Sequence, residues 1–250
     1  MRFHSHFEST MHAAPTIVFI HGALNDRGVW SAQAGPLAER GHAVLAVDLP
    51  GHGASPGPAL TSVEAMADWL LASLDAAGIA RALLVGHSMG SLVALEAAFR
   101  DPARVTGMAL LGTASPMKVS DALLAGALED QDAAIGMVAH WSSSAPELEQ
   151  PAREAMRRVA EAGPPALLHT DLSACKAYAN GGAAAAAVAC PTLFILGSQD
   201  KMTPPRAAKT LTESIRHGRI VEVDAGHAMM AEQPKAVLDA LAAFATACAA

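Results

Sequence analysis

Six short apolar runs recur along the chain, separated by longer stretches in which apolar and polar residues mix at helical spacing. The runs are TIVFIHG (16–22), AVLAVD (43–48), ALLVGH (82–87), VTGMALLG (105–112), TLFILG (192–197) and RIVEVD (219–224). They are rich in Val, Ile and Leu and nearly continuous in apolar character, which predicts strands covered on both faces. Helical stretches between them predict parallel crossovers, so the expected class is α/β with a doubly wound, mostly parallel sheet.

The helical stretches carry their own punctuation. TSVEAMADWLLASLDAAG has Thr61 and Glu64 at capping-box spacing and stops at Gly78. SLVALEAAFRDP runs from the Ser88 region and ends before Pro102, while Pro204-Pro205 and Pro234 each mark a helix start. One interval breaks the rhythm: between Thr113 and Pro191 no strand is predicted, only helical segments at 120–141, 146–161 and 165–178 and an alanine-rich helix end at 183–189. The expected organisation is a core from 1–114 and 190–250 with a helical cap inserted over 115–189.

Composition narrows the setting. Apolar residues make up 52% and charged residues 16%, so a large core is available and disorder is not expected. The formal charge of −7, with no basic cluster beyond Arg157-Arg158, speaks against a nucleic-acid partner. Three cysteines at irregular spacing suit a reducing compartment rather than a disulfide framework. No apolar signal core opens the sequence and no run approaches the ~18 apolar residues of a membrane span, so a cytoplasmic, non-membrane protein is expected.

The densest chemical signal is Gly86-His87-Ser88-Met89-Gly90, a G-x-S-x-G at a strand-to-helix junction. There a tight turn exposes the serine hydroxyl, and the glycines leave room for the chain to reverse. A serine becomes nucleophilic only when a base takes its proton and an acid orients that base. Asp200 follows the TLFILG run and His227 follows RIVEVD, both on loops at strand C-terminal ends, where open α/β sheets carry their ligands. Asp48 reads as a loop-fixing residue, and Asp224 stands too close to His227 to reach round its ring. His87 is expected to point away from the site. His42, His52, His140, His169 and His217 default to structural or surface roles. His4 and His6 form an H-x-H pair with no third ligand in view, so no metal is expected. Oxyanion donors are expected from the backbone N–H of Met89, at a helix start, and of Ala23, in the loop after the first run; His21-Gly22 could equally just end that strand.

In chain order, FIHGALNDRGVW, VDLPGHGAS, VGHSMGS, LGSQDKMTPP and AGHAMMAEQP together resemble the α/β-hydrolase family, in particular its small capped esterase-like branch. The resemblance covers nearly the whole chain. It implies Ser88 as nucleophile, His227 as base, Asp200 as its orienting acid and Ala23 and Met89 as oxyanion donors. The reaction implied is cofactor-free hydrolysis of a small-molecule carboxylic ester through an acyl-serine. The family usually opens with two antiparallel strands, and the short stretch before residue 16 implies a shortened sheet edge. Epoxide hydrolases and haloalkane dehalogenases generally carry Asp where this chain has Ser88. Carbon–carbon bond hydrolases commonly place Trp after the base, where Ala228 stands. Alternatives on the same triad are such a hydrolase, a cofactor-free haloperoxidase or perhydrolase, or a receptor-like binding protein with little turnover.

Substrate choice is expected to lie in the cap and the loops beneath it. Candidate pocket residues are Leu24, Met117, Met137, Trp141, Leu168, Leu172, Tyr178, Met229 and Met230, with core packing as the alternative place for each. With no basic cluster in these stretches, the expected acyl group is neutral, apolar and short to medium in length.

Overall fold

The structure, a computed structural model, describes residues 14–249. The six apolar runs become strands β1 (Thr16–Ile20), β2 (Val44–Val47), β3 (Ala82–His87), β4 (Val105–Leu111), β5 (Thr192–Gly197) and β6 (Gly218–Val223). Helices α1 (Ser31–Glu39), α2 (Val63–Ala76) and α3 (Met89–Arg100) lie among the first strands. Then come α4 (Asp121–Glu129), α5 (Gln131–Ser142), α6 (Pro146–Ala162), α7 (Leu167–Ala177) and α8 (Gly181–Ala187), all between β4 and β5. The chain continues with α9 (Lys209–Ser214), α10 (Met229–Glu232) and α11 (Pro234–Ala249).

All strand pairs are parallel, in the order β2-β1-β3-β4-β5-β6. Among the described residues no antiparallel strand extends the sheet. Successive side chains on a strand point to opposite faces, and both faces are buried in β1, β3, β4 and β5. The edge strand β6, expected to be covered on both faces, is exposed along most of its length, because no strand among the described residues pairs along its outer side. Val18, Ile20, Leu84, Leu110 and Phe194 pack on the side of α2 and α3. Ile17, Phe19, Val85, Leu111 and Ile195 pack on the side of α11. That double burial is why the strands read as continuous apolar runs rather than alternating ones.

Two local details differ from the sequence expectation. The cap of α2 is Ser62, whose hydroxyl accepts from Ala65 N–H at 3.1 Å, one residue beyond Thr61. The 120–141 segment is two helices, because Asp130 leaves the helical conformation and its carboxylate caps the start of α5. Among the described residues no helix is long and apolar enough to cross a membrane.

The inserted helices divide by packing. Leu123, Ile135, Met156 and Leu168, from α4 to α7, form a separate apolar cluster together with Leu24. Helix α8 instead packs against α3, and its Ala184 and Ala185 join the main core. The chain reverses direction across the sheet between β1 and β3, so the loops leaving these neighbouring strands border a crevice, with Ile20 paired to Gly86 at their ends.

Candidate active site

Ser88 occupies the junction of β3 and α3 with φ 52° and ψ −118°, a left-handed conformation rare for a residue with a side chain. The turn is held by Ser88 N–H donating to the Leu111 carbonyl at 2.9 Å, and by Ser91 Oγ donating to the Ser88 carbonyl at 2.6 Å. Glycine is required on both sides. A Cβ on Gly86 would stand 2.1 Å from the Gly90 carbonyl oxygen, and one on Gly90 would stand 2.3 Å from that of Ile20.

Asp200 and His227 leave β5 and β6 on adjacent loops and meet, with Asp200 Oδ2 2.8 Å from His227 Nδ1. Both side chains are buried. Asp200 Oδ1 accepts from the N–H groups of Met202 and Thr203, each at 2.8 Å, and Thr203 Oγ1 donates to Oδ2 at 2.7 Å. Burial opposes a charged Asp200, but the His227 imidazole and the Thr203 hydrogen bonds outweigh it and hold the carboxyl down at about 2. Gly112, at φ 54°, passes beneath the imidazole, where a Cβ would come 3.0 Å from the ring. The other two acids are engaged elsewhere. Asp224 binds Gln199 Nε2 at 2.7 Å, and Asp48 accepts from the Arg27 and Ala54 N–H groups.

The loop after β1 is held by His21. Its Nε2 accepts from Leu49 N–H at 3.0 Å, which leaves Nδ1 as the donor to the Gly22 carbonyl at 2.8 Å. Burial, then the neighbouring His52, lowers His21 to about 4, so it stays neutral in this tautomer. The N–H groups of Ala23 and Met89 have no acceptor among the described residues, and Ala23 borders the same cavity as Ser88 and His227. Ser88 Oγ likewise has no hydrogen-bond partner among them.

His87 does not point away as the sequence reading expected. Its ring lies 4.6 Å from that of His227, Nε2 donates to the His227 carbonyl at 2.9 Å, and the side chain borders the cavity. Burial lowers its pKa to about 3, so it packs beneath His227 as a neutral ring.

The cavity has a volume of about 480 Å³ and is roofed by the inserted helices. Of the candidate pocket residues, Met117, Trp141, Leu172 and Met230 line it. Five others do not. Leu24 and Leu168 face into the cluster formed by α4 to α7. Met137 is on the outer side of α5, 38% exposed. Tyr178 turns into the main core, where its hydroxyl donates to Glu96 Oε2 at 2.8 Å. Met229 packs on the α11 side of the sheet. Leu123, Val138 and Met156 take up the wall positions that sequence reading missed; each belongs to an amphipathic helix whose rotation only packing sets. Lys118 and Lys201, both exposed, also border the cavity. His4 and His6 lie outside the described residues.

A parallel six-stranded sheet with Ser88 at a strained strand-to-helix turn, and an acid–histidine pair on the loops after β5 and β6, is the architecture of α/β hydrolases. The model of the alpha/beta hydrolase family matches residues 17–240, and the chain belongs to that family. The chain is 34% identical, over 86% of its length and 85% of the relative's, to the Klebsiella pneumoniae protein provisionally named carbamate hydrolase RutD. It is 30% identical to the pimeloyl-[acyl-carrier protein] methyl ester esterase of Chromobacterium violaceum, over 94% of this chain and 96% of that one. The solved enol-lactonase of Burkholderia xenovorans superposes with a TM-score of 0.83 at 26% identity, over 93% of this chain and 92% of that one. Another relative, the acetyltransferase component of the acetoin cleaving system of Cupriavidus necator, is 42% identical over 46% of this chain, and the match spans only 30% of that protein.

Proposed function

We propose that this hydrolase cleaves carboxylic esters through an acyl-serine intermediate, with Ser88 as nucleophile, His227 as general base and acid and Asp200 as the orienting acid. The observation that carries the reading is the Asp200–His227 pair, bonded at 2.8 Å, with His227 and the strained Ser88 turn bordering one largely apolar cavity. With Nδ1–H donated to Asp200, Nε2 of His227 is free to take a proton. Ser88 Oγ attacks the ester carbonyl carbon as its proton passes to Nε2, and the carbonyl electron pair collects on oxygen between the N–H groups of Ala23 and Met89. Collapse of that intermediate breaks the acyl–oxygen bond, and His227 returns the proton to the departing alcohol. Water then repeats the sequence on the acyl-serine and frees the acid. Ser88 Oγ has no hydrogen-bond partner among the described residues, and in this reading it closes on His227 as substrate is seated, since such hydrogen bonds commonly tighten on binding.

Relatives named as an esterase, an enol-lactonase and a carbamate hydrolase support acyl transfer to water as the shared chemistry. The largely apolar wall supports a short to medium acyl chain, and three free cysteines support a reducing, cytoplasmic setting. A fluorophosphonate probe and a p-nitrophenyl ester series test the reading together. Labelling that disappears in Ser88→Ala, with many turnovers per wild-type molecule, is the expected result. Ester turnover that survives in Ser88→Ala overturns it.

A further inference from the structure

Asp171 stands on α7, fully buried, and no step above uses it. Its Oδ2 accepts from the backbone N–H of Leu24 at 2.8 Å and lies 2.9 Å from His52 Nε2, while Oδ1 has no partner among the described residues. A buried carboxylate with an unsatisfied oxygen is a poor stabilising device beside an apolar side chain of similar size. What its engaged oxygen does is local and specific.

The Leu24 N–H belongs to the peptide unit Ala23–Leu24, whose carbonyl accepts from Asn25 Nδ2 at 2.8 Å. That unit is therefore gripped at both ends. The preceding unit, Gly22–Ala23, is gripped at its carbonyl by His21. In a trans peptide the N–H points opposite to the carbonyl, so Ala23 N–H is aimed the other way and has no acceptor among the described residues. Just beyond the Ala23–Leu24 unit the chain turns sharply at Leu24, whose φ is 48°. A leucine holds such a conformation only when its surroundings impose it.

We propose that Asp171 is a positioning residue: by holding the Leu24 N–H it fixes the peptide that follows Ala23, and with it the loop that presents Ala23 N–H as a donor to the tetrahedral oxyanion at Ser88. The proposal rests on the serine-hydrolase reading. His52 completes the arrangement, with Nδ1 3.1 Å from the Pro50 carbonyl and Nε2 on Asp171, two acceptors that suit an imidazolium. Burial works against that charge, but Asp171 prevails and the His52 pKa is raised. A protonated His52 offsets the Asp171 carboxylate, so this acid adds no unbalanced negative charge beside the loop that must hold an oxyanion. Helix α7 also presents Leu172 and Cys175 to the cavity, so the element that borders the acyl chain also sets the donor.

The test is steady-state kinetics of Asp171→Ala and Asp171→Asn on p-nitrophenyl acetate, with binding of a trifluoromethyl ketone that forms a tetrahedral serine adduct. Asp171→Ala is expected to lower kcat by ~10²-fold with KM within about threefold, the size and pattern of a lost oxyanion donor. Affinity for the ketone falls in step with kcat/KM. Asp171→Asn keeps an amide oxygen for the Leu24 N–H and is expected to lose less than about tenfold. A folded Asp171→Ala with wild-type kcat, or with KM raised and kcat unchanged, overturns the proposal. If that variant does not fold, Asn25→Ala loosens the other end of the same peptide, and absence of a kcat-selective loss there is equally fatal. A wild type that neither hydrolyses the ester nor takes up the ketone overturns the serine-hydrolase reading and this proposal with it. Normal wild-type turnover with indifferent variants overturns this proposal alone.

Discussion

Asp200 and His227 stand 27 residues apart in the chain, and their side chains meet at 2.8 Å because β5 and β6 are parallel neighbours that release both loops at the same end of the sheet. The pairing fixes which imidazole nitrogen carries the proton. Asp200→Asn can present an amide N–H to that nitrogen and so favour the wrong tautomer. Its kcat is expected to fall by ~10³–10⁴ with the fold intact, read from ester turnover beside circular dichroism. Turnover near that of the wild type would move the orienting role to another acid.

The same pair governs stability in acid. The folded pKa of Asp200 is depressed to about 2, below its ordinary value of 3.8. Its contribution is therefore fully present above the unfolded pKa and is lost as pH falls through the window from about 4 to about 2. Urea unfolding across that window should show stability declining with acid in the wild type, with a shallower slope in Asp200→Asn. Equal slopes would mean the carboxylate is not held down in the folded state.

Glycine at the Ser88 turn is a matter of space. Gly90→Ala puts a methyl 2.3 Å from the Ile20 carbonyl oxygen and is expected to cost about 3 kcal/mol or more in urea unfolding, since backbone rather than a flexible side chain must yield. Gly126, inside α4, has only the flexible end of Met137, at 3.9 Å, near its notional Cβ. Gly126→Ala should accordingly stabilise the protein by roughly 0.5–1 kcal/mol, through helix propensity and a less free unfolded chain. A destabilised Gly126→Ala would contradict the open surroundings of that position.

Acyl-chain preference should follow the wall residues. Val138→Trp fills part of the cavity from α5 and is expected to shift the preferred p-nitrophenyl ester toward shorter chains, each excluded methylene losing about 0.8 kcal/mol of burial. Activity on the acetate ester should stay within a fewfold. The same substitution at Met137, outside the cavity, should leave the chain-length profile unchanged. A profile that moves with Met137 and not with Val138 would relocate the acyl site.

The strands and the loops that carry Ser88, Asp200 and His227 were legible in the chain because their signals are local. Doubly buried strands are written as apolar runs, the Ser88 turn needs glycine at two fixed offsets, and ligand-bearing loops follow strand C-terminal ends. The pocket wall was only half legible. Met117, Trp141, Leu172 and Met230 reach the cavity, whereas Met137, Leu168, Tyr178, Met229 and Leu24 do not. An apolar residue on an amphipathic helix carries the same signature whether it faces a cavity or a core, and His87 shows the same limit for a residue beside the serine itself.

Sequence by itself determined the order of elements, the class of sheet and the loops on which the candidate chemistry stands, because periodicity, punctuation and the strand-end rule all act over a few residues. Tertiary structure decided the rest. Asp171 meets Leu24 across 147 residues and His52 across 119. It sits in an ordinary helical stretch, LLHTDLSACKA, with no motif to mark it. Which way α7 rolls against the loop after β1 is set by the fit of the apolar cluster between them. That fit turns a buried carboxylate toward one backbone N–H, and it exists only once the helices are packed.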